Sequence, residues 1–197
     1  MKTLLTLFAL LFSSSVFADV ISDFEIEGIS VGDSLLDYMN EKEILSDIET
    51  TFHHYVYLND PKKFGEAYIF NNVKFKIYES ISFYIDPKDK NYTIYGLRGN
   101  VSYNQDIEKC LKQQNQINLE LEEIFKNFSK EKGTVNSKLD SSGKSIAYHT
   151  KYSFKDGSSI GTRCNDWEEN LRIKNGWSEG LSVSIKTKEV YSWLANY

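Results

Sequence analysis

Apolar residues recur along this chain with two periods, and the switches between them divide it into elements. From Phe75 to Ile85 the odd positions Phe75, Ile77, Ile81, Phe83 and Ile85 alternate with polar residues or tyrosine, interrupted at Glu79. That period of two predicts a half-buried strand. Asp86 to Asn91 supplies a turn, and Tyr92 to Leu97 returns as a partner, with Gly96 and Gly99 marking a bulge or a close backbone approach. Further on, Ile146, Tyr148, Thr150, Tyr152 and Phe154 alternate with Ala147, His149, Lys151 and Ser153. Asp156-Gly157 then predicts a hairpin turn into a strand lined by Ile160, Thr162 and Cys164. Short strands are also expected at Asp23–Ile29, Tyr55–Leu58, Glu66–Phe70 and Leu181–Ile185.

Between the two hairpins the period changes to that of a helix. Ile107, Cys110, Leu111, Gln114, Ile117, Leu121, Ile124, Phe125 and Phe128 fall on one side at spacings of three and four. The expectation is a helix of about 25 residues, capped by Asn104 and stopped by Gly133, nearly 40 Å long. Asp33 or Ser34 can open a brief helix, and Asn40 with Glu43 makes a capping-box start for another carrying Ile44, Leu45 and Ile48. A short C-terminal helix would present Val190, Trp193, Leu194 and Tyr197. This order of elements predicts an α+β fold: an antiparallel β-sheet with one long amphipathic helix on one face, plus short N- and C-terminal helices.

Composition changes the picture at the N-terminus. Lys2, the apolar run Leu4–Phe12 and the small-residue ending Ser13-Ser14-Ser15-Val16-Phe17-Ala18 follow the three-part pattern of a secretory signal peptide. The run is too short to span a bilayer, which takes roughly 20 residues. The expected organisation is therefore a signal peptide over 1–18, cleaved after Ala18, and one domain over 19–197, periplasmic or secreted. In an oxidising compartment the only two cysteines, Cys110 on the helix face and Cys164 on the inward strand face, are expected to form a disulfide. Hydrophobic residues at 41% and charged residues at 26% suit a globular chain. A net charge of −5, with never more than two Lys or Arg in succession, gives no electrostatic footprint for nucleic acid.

Candidate chemistry is sparse. Gly28-Ile29-Ser30-Val31-Gly32 matches the G-x-S-x-G nucleophile elbow, but too little chain precedes it to build the strands of a hydrolase sheet. His53-His54 lacks the spacing of a zinc helix motif, and Asp86 and Asp89 lack the glycine of a calcium loop. No catalytic residue, metal ligand or cofactor is therefore assigned. Asn91, Asn100 and Asn127 head glycosylation sequons that only a eukaryotic secretory route would use. With the long helix on one sheet face, the opposite face is expected to stay free and to carry Tyr78, Tyr84, His149, Lys151 and Arg163. Trp167 and Trp177, in polar stretches between strands, are further candidates for contact with a partner protein or polar ligand.

The run Phe24-Glu25-Ile26-Glu27-Gly28-Ile29-Ser30-Val31-Gly32-Asp33-Ser34-Leu35-Leu36-Asp37-Tyr38, with Ile107-Glu108-Lys109-Cys110, the Asp-Gly hairpin and Cys164, resembles small exported proteins of marine α-proteobacteria. The opening is also similar to that of small envelope proteins such as outer-membrane assembly accessories and β-lactamase inhibitor proteins. The resemblance implies a periplasmic location and supplies no catalytic residues. The expectation is a non-enzymatic binding or interaction domain. The alternatives are a secreted hydrolase, using Ser30 or a His/carboxylate site, and a secreted inhibitor or toxin-like protein.

Overall fold

A computed structural model describes residues 21–54, 63–70, 72–103 and 105–195, without the side chains of 52–54. The segment 1–18, the expected strand Tyr55–Leu58 and the expected cap Asn104 lie outside the described residues. Seven strands form one antiparallel sheet: β1 (Gly65–Phe70), β2 (Ser80–Ile85), β3 (Ile94–Ser102), β4 (Phe128–Asn136), β5 (Ile146–Phe154), β6 (Ser159–Asp166) and β7 (Gly180–Lys186). Their order is β1-β2-β3-β7-β6-β5-β4. The helices are α1 (Glu41–His54), α2 (Ile107–Ile124), α3 (Glu169–Asn175) and α4 (Lys188–Ala195). The fold is α+β, as the order of elements predicts.

One sheet face is apolar because the in-register residues are. Ala67, Phe83, Leu97, Ile185, Ile160 and Tyr152 lie in one row across six strands and are all buried. The cover over this face differs from the expected single long helix. α2 has 18 residues, capped by Asp106, whose carboxylate accepts from the Lys109 N–H at 2.9 Å. It packs on β6 and β7. Phe125 ends it in extended conformation, and Phe128 and Gly133 belong to β4. The remaining area is filled by α1, against β1, and by the N-terminal residues Ile21, Phe24, Ile26, Ile29 and Leu35. The apolar spacing continues past Ile124 because Phe125 and Phe128 enter the same core, and periodicity alone cannot separate a helix from the chain that follows it.

Two further local corrections bear on the open face. Of the expected strand 75–85, only Ser80–Ile85 pairs, since the chain bends before it. The Glu27 carboxylate holds that bend by accepting from the N–H groups of Lys76, Ile77 and Tyr78 at 3.0, 2.7 and 3.1 Å. The slip in phase turns Tyr78 into the core, where its ring lies on Gly99: a Cβ there would stand 2.5 Å from it. The expected strand 23–29 is instead a tight two-residue turn, with Ile26 bridging Ile29 around Glu27 and Gly28 at φ 54° and 79°.

The Asn40–Glu43 capping box forms at 3.0 Å in both directions. Cys110 and Cys164 are joined in a disulfide, with Cα atoms 6.0 Å apart, tying α2 to β6. Among the described residues no helix is long and apolar enough to cross a membrane.

A cationic centre on the open sheet face

The face opposite α2 is built from three cross-strand rows of mostly small and polar residues. The first runs Phe70, Ser80, Asn100, Ser182, Arg163, His149, Gly133. The second runs Tyr68, Ser82, Arg98, Ser184, Gly161, Lys151, Glu131. The third runs Glu66, Tyr84, Gly96, Lys186, Ser159, Ser153, Ser129. Alternation along each strand puts these side chains here, one residue out of phase with the core.

α4 closes one end of the face. Val190 and Trp193 pack with Phe64 and Tyr84, with Trp193 edge-on to the Tyr84 ring at 6.3 Å. Tyr84, expected on the free surface, is therefore 2% exposed and belongs to a second small core. Only a tertiary contact decides this, because α4 returns over the sheet after β7.

Three cations converge around Ser184. Arg98 stands opposite it on β3, Lys186 follows it by two on β7, and Arg163 is diagonal to it on β6. Arg98 Nη2 donates to the buried Glu66 carboxylate at 3.0 Å. Lys186 Nζ donates to Ser184 Oγ at 3.0 Å, and Arg163 Nε donates to Asn165 Oδ1 at 2.8 Å. Neither Lys186 nor Arg163 has a carboxylate within salt-bridge distance among the described residues. Burial, then the charges of Arg98 and Arg163, pushes the Lys186 ammonium down to about 8 from 10.5, against the smaller opposing pull of Glu66. Burial and Arg98 also lower the Arg163 guanidinium. Two half-buried cations with no carboxylate at salt-bridge distance among the described residues, in a chain of net charge −5, form a local positive field.

Around this centre the supports are specific. Lys151 is paired with Glu131 at 2.6 Å and donates to Tyr191 Oη at 3.1 Å, so its charge is already neutralised. His149 sits between Arg163 and Gly133, with Nε2 3.9 Å from Glu131 and its buried Nδ1 unpartnered among the described residues. Ser82 Oγ is likewise buried and unpartnered among them.

A cleft of ≈ 290 Å³ extends over the sheet end, lined by Asn165, Ser182, Asn100, Ser80 and Phe70, with Glu79 and Glu179 in its walls; Arg163 and Lys186 are not among its lining residues. Glu179 accepts from the Trp167 N–H at 3.2 Å, and burial raises its carboxyl. Trp167 and Trp177 bracket α3 and pack on each other, centroids 4.6 Å apart; neither lines the cleft or belongs to the cationic centre.

The remaining candidates stay apart from this site. Ser30 lies between two turns with its N–H on Asp33 at 2.9 Å, and the one histidine whose side chain is described, His149, is on β5. Among the described residues no three His, Cys, Asp or Glu groups converge on a metal position. Sequence reasoning placed Arg163, His149 and Lys151 on the open face but passed over Arg98, Lys186 and Glu66. The available signal was a charge next to an inward residue of a strand: Arg98 between Leu97 and Gly99, Lys186 after Ile185, and Glu66 before Ala67. No protein family, curated protein or solved structure matches the chain, so the site stands on its own chemistry.

Proposed function

We propose that this chain is an exported, non-enzymatic binding protein of the periplasm or extracellular space, whose open sheet face captures an anionic group. The observation that carries the reading is the pair Arg163 and Lys186, half-buried beside Arg98 with no carboxylate partner among the described residues. Burying uncompensated charge is costly, and an anion seated between the two cations removes that cost. The Ser182 hydroxyl, opposite Arg163 on the strand that carries Lys186, adds a neutral donor of the kind that completes an oxyanion site. The disulfide and the signal-like 1–18 segment support an oxidising compartment.

Thermal unfolding in rising phosphate or sulfate tests this reading at constant ionic strength. A ligand of the native state raises Tm with its concentration. The wild-type chain should show that rise, and Arg163→Ala/Lys186→Ala should lose it while remaining folded, because removing two like charges relieves repulsion. Equal anion responses in the two proteins would overturn the assignment.

A further inference from the structure

The two edges of the sheet are finished differently. Outside β1, α1 supplies partners for the strand's outward backbone groups: Thr51 Oγ1 donates to the Glu66 carbonyl at 2.7 Å, and the Asp47 carboxylate accepts from the Tyr68 N–H at 2.9 Å. β4 ends the order on the other side, with no further strand among the described residues. The phase of its ladder shows which groups stay open. Ser137 N–H donates to the Ser145 carbonyl at 2.9 Å, one step past the Asn136–Ile146 pair, so the odd residues of β4 bond to β5. The backbone N–H and C=O of Lys130, Lys132, Thr134 and Asn136 therefore point outward, and none has a hydrogen-bond partner among the described residues.

Proline, a bulge or a covering element commonly blunts such an edge. β4 runs nine residues with no proline and no shift in register. Its charges, another common guard, are drawn back onto the fold: Lys130 to Glu122, Lys132 to Asn115 and Glu131 to Lys151. Gly133 sits mid-strand without a positive φ, and a Cβ there would meet nothing closer than the His149 ring at 3.4 Å. Neither a turn nor internal packing requires that glycine, which inside a strand also marks the close approach of another backbone.

Cross-strand charge then selects the occupant. Two copies related by a two-fold axis would set one β4 residue opposite itself, and like charges directly opposite are destabilising. Centres at Lys130, Glu131 or Lys132 bring identical charges together, and centres at Thr134 or Val135 set Lys130 or Lys132 opposite Lys138. A centre at Gly133 sets Lys132 opposite Thr134, Glu131 opposite Val135 and Lys130 opposite Asn136. It also puts the smallest residue at a non-hydrogen-bonded pair, where opposed side chains stand closest.

We infer that the chain forms a two-fold dimer through β4, paired antiparallel about Gly133 into one continuous sheet with both open faces on the same side. Sedimentation velocity of the full chain should show a monomer–dimer equilibrium that shifts with protein concentration. Thr134→Lys, which meets Lys132 at two symmetric places in the pair, should weaken dimerisation about tenfold while its urea midpoint stays that of the wild type. Thr134→Pro should abolish it, because the lost N–H points outward and the β4–β5 ladder keeps its bonds. Oxidised Gly133→Cys should run as a disulfide-linked dimer, since the opposed Cα atoms of such a pair stand about 4.5 Å apart, whereas Lys132→Cys should not. A chain monomeric throughout, a dimer indifferent to both Thr134 variants, or Lys132→Cys linking more readily than Gly133→Cys would overturn the inference.

Discussion

The Glu66 carboxylate reaches past β2 to accept a hydrogen bond from Arg98 Nη2 at 3.0 Å, and its side chain has 0% exposure. Ser82, opposite Arg98 on that intervening strand, is small enough to leave the path clear. This pair sets the charge of the whole face. It neutralises Arg98, and its pull on Lys186 is smaller than the opposing effects of burial, Arg98 and Arg163.

Glu66→Gln should therefore act in two opposite directions. Unfolding in urea should show a loss of about 2–3 kcal/mol, at the lower end for a broken buried pair, because a third of the Arg98 side chain stays in water. Phosphate affinity of the folded variant should rise several-fold, since one negative charge has left the site.

Lys186 makes anion binding pH-dependent. Its ammonium titrates near 8 in the folded chain, so phosphate affinity, corrected for phosphate ionisation, should fall as pH rises through about 8. Stability moves the other way. Between about 8 and 10 the unfolded lysine holds more proton than the folded one, so stability rises with pH across that window. Near 10 the trend reverses, because burial holds Tyr78 and Tyr152 above the ordinary tyrosine range and the unfolded state ionises first. Lys186→Met should remove both the binding profile and the rise, as read by calorimetry and urea unfolding at pH 7, 8.5 and 9.5.

Asn118 fixes α2 to the sheet. Its Nδ2 donates to Thr150 Oγ1 at 3.1 Å, and its Oδ1 accepts from Thr162 Oγ1 at 2.8 Å, all buried. Asn118→Ala strands both hydroxyls and should cost about 3 kcal/mol by chemical denaturation. Combining Asn118→Leu with Thr150→Val and Thr162→Val should recover most of it, because no buried polar atom is left without a partner.

The Cys110–Cys164 bridge closes a separation of 54 residues. Cys164→Ser should lower stability by about 2–5 kcal/mol under non-reducing conditions. Thiol titration of the denatured, unreduced wild-type protein should find no free thiol.

Intact mass of the protein recovered from its native compartment should begin at Asp19. A mass that includes residues 1–18 would remove the export argument and the reason for expecting an oxidised pair.

What the sequence by itself determined was local. The alternation at 146–154, the Asp156-Gly157 turn and the Asn40–Glu43 box each follow from side chains within a few residues of one another, where period and capping act directly. The α+β class and the disulfide follow by adding those pieces, and so does the outward phase of Arg163, His149 and Lys151. The tertiary structure decided whatever depends on contacts distant in the chain. Tyr84 alternates like a surface residue and is buried because α4 folds back over it; Tyr78 is buried because Glu27 bends the backbone some fifty residues away. Asn118 falls at the spacing of the α2 apolar stripe, and only the register of β5 and β6 beneath it supplies the Thr150 and Thr162 hydroxyls that satisfy its amide. The cationic centre belongs to the same class. Arg98, Arg163 and Lys186 are separated in sequence and sit one per strand, so their meeting follows from strand order and register, which periodicity does not encode.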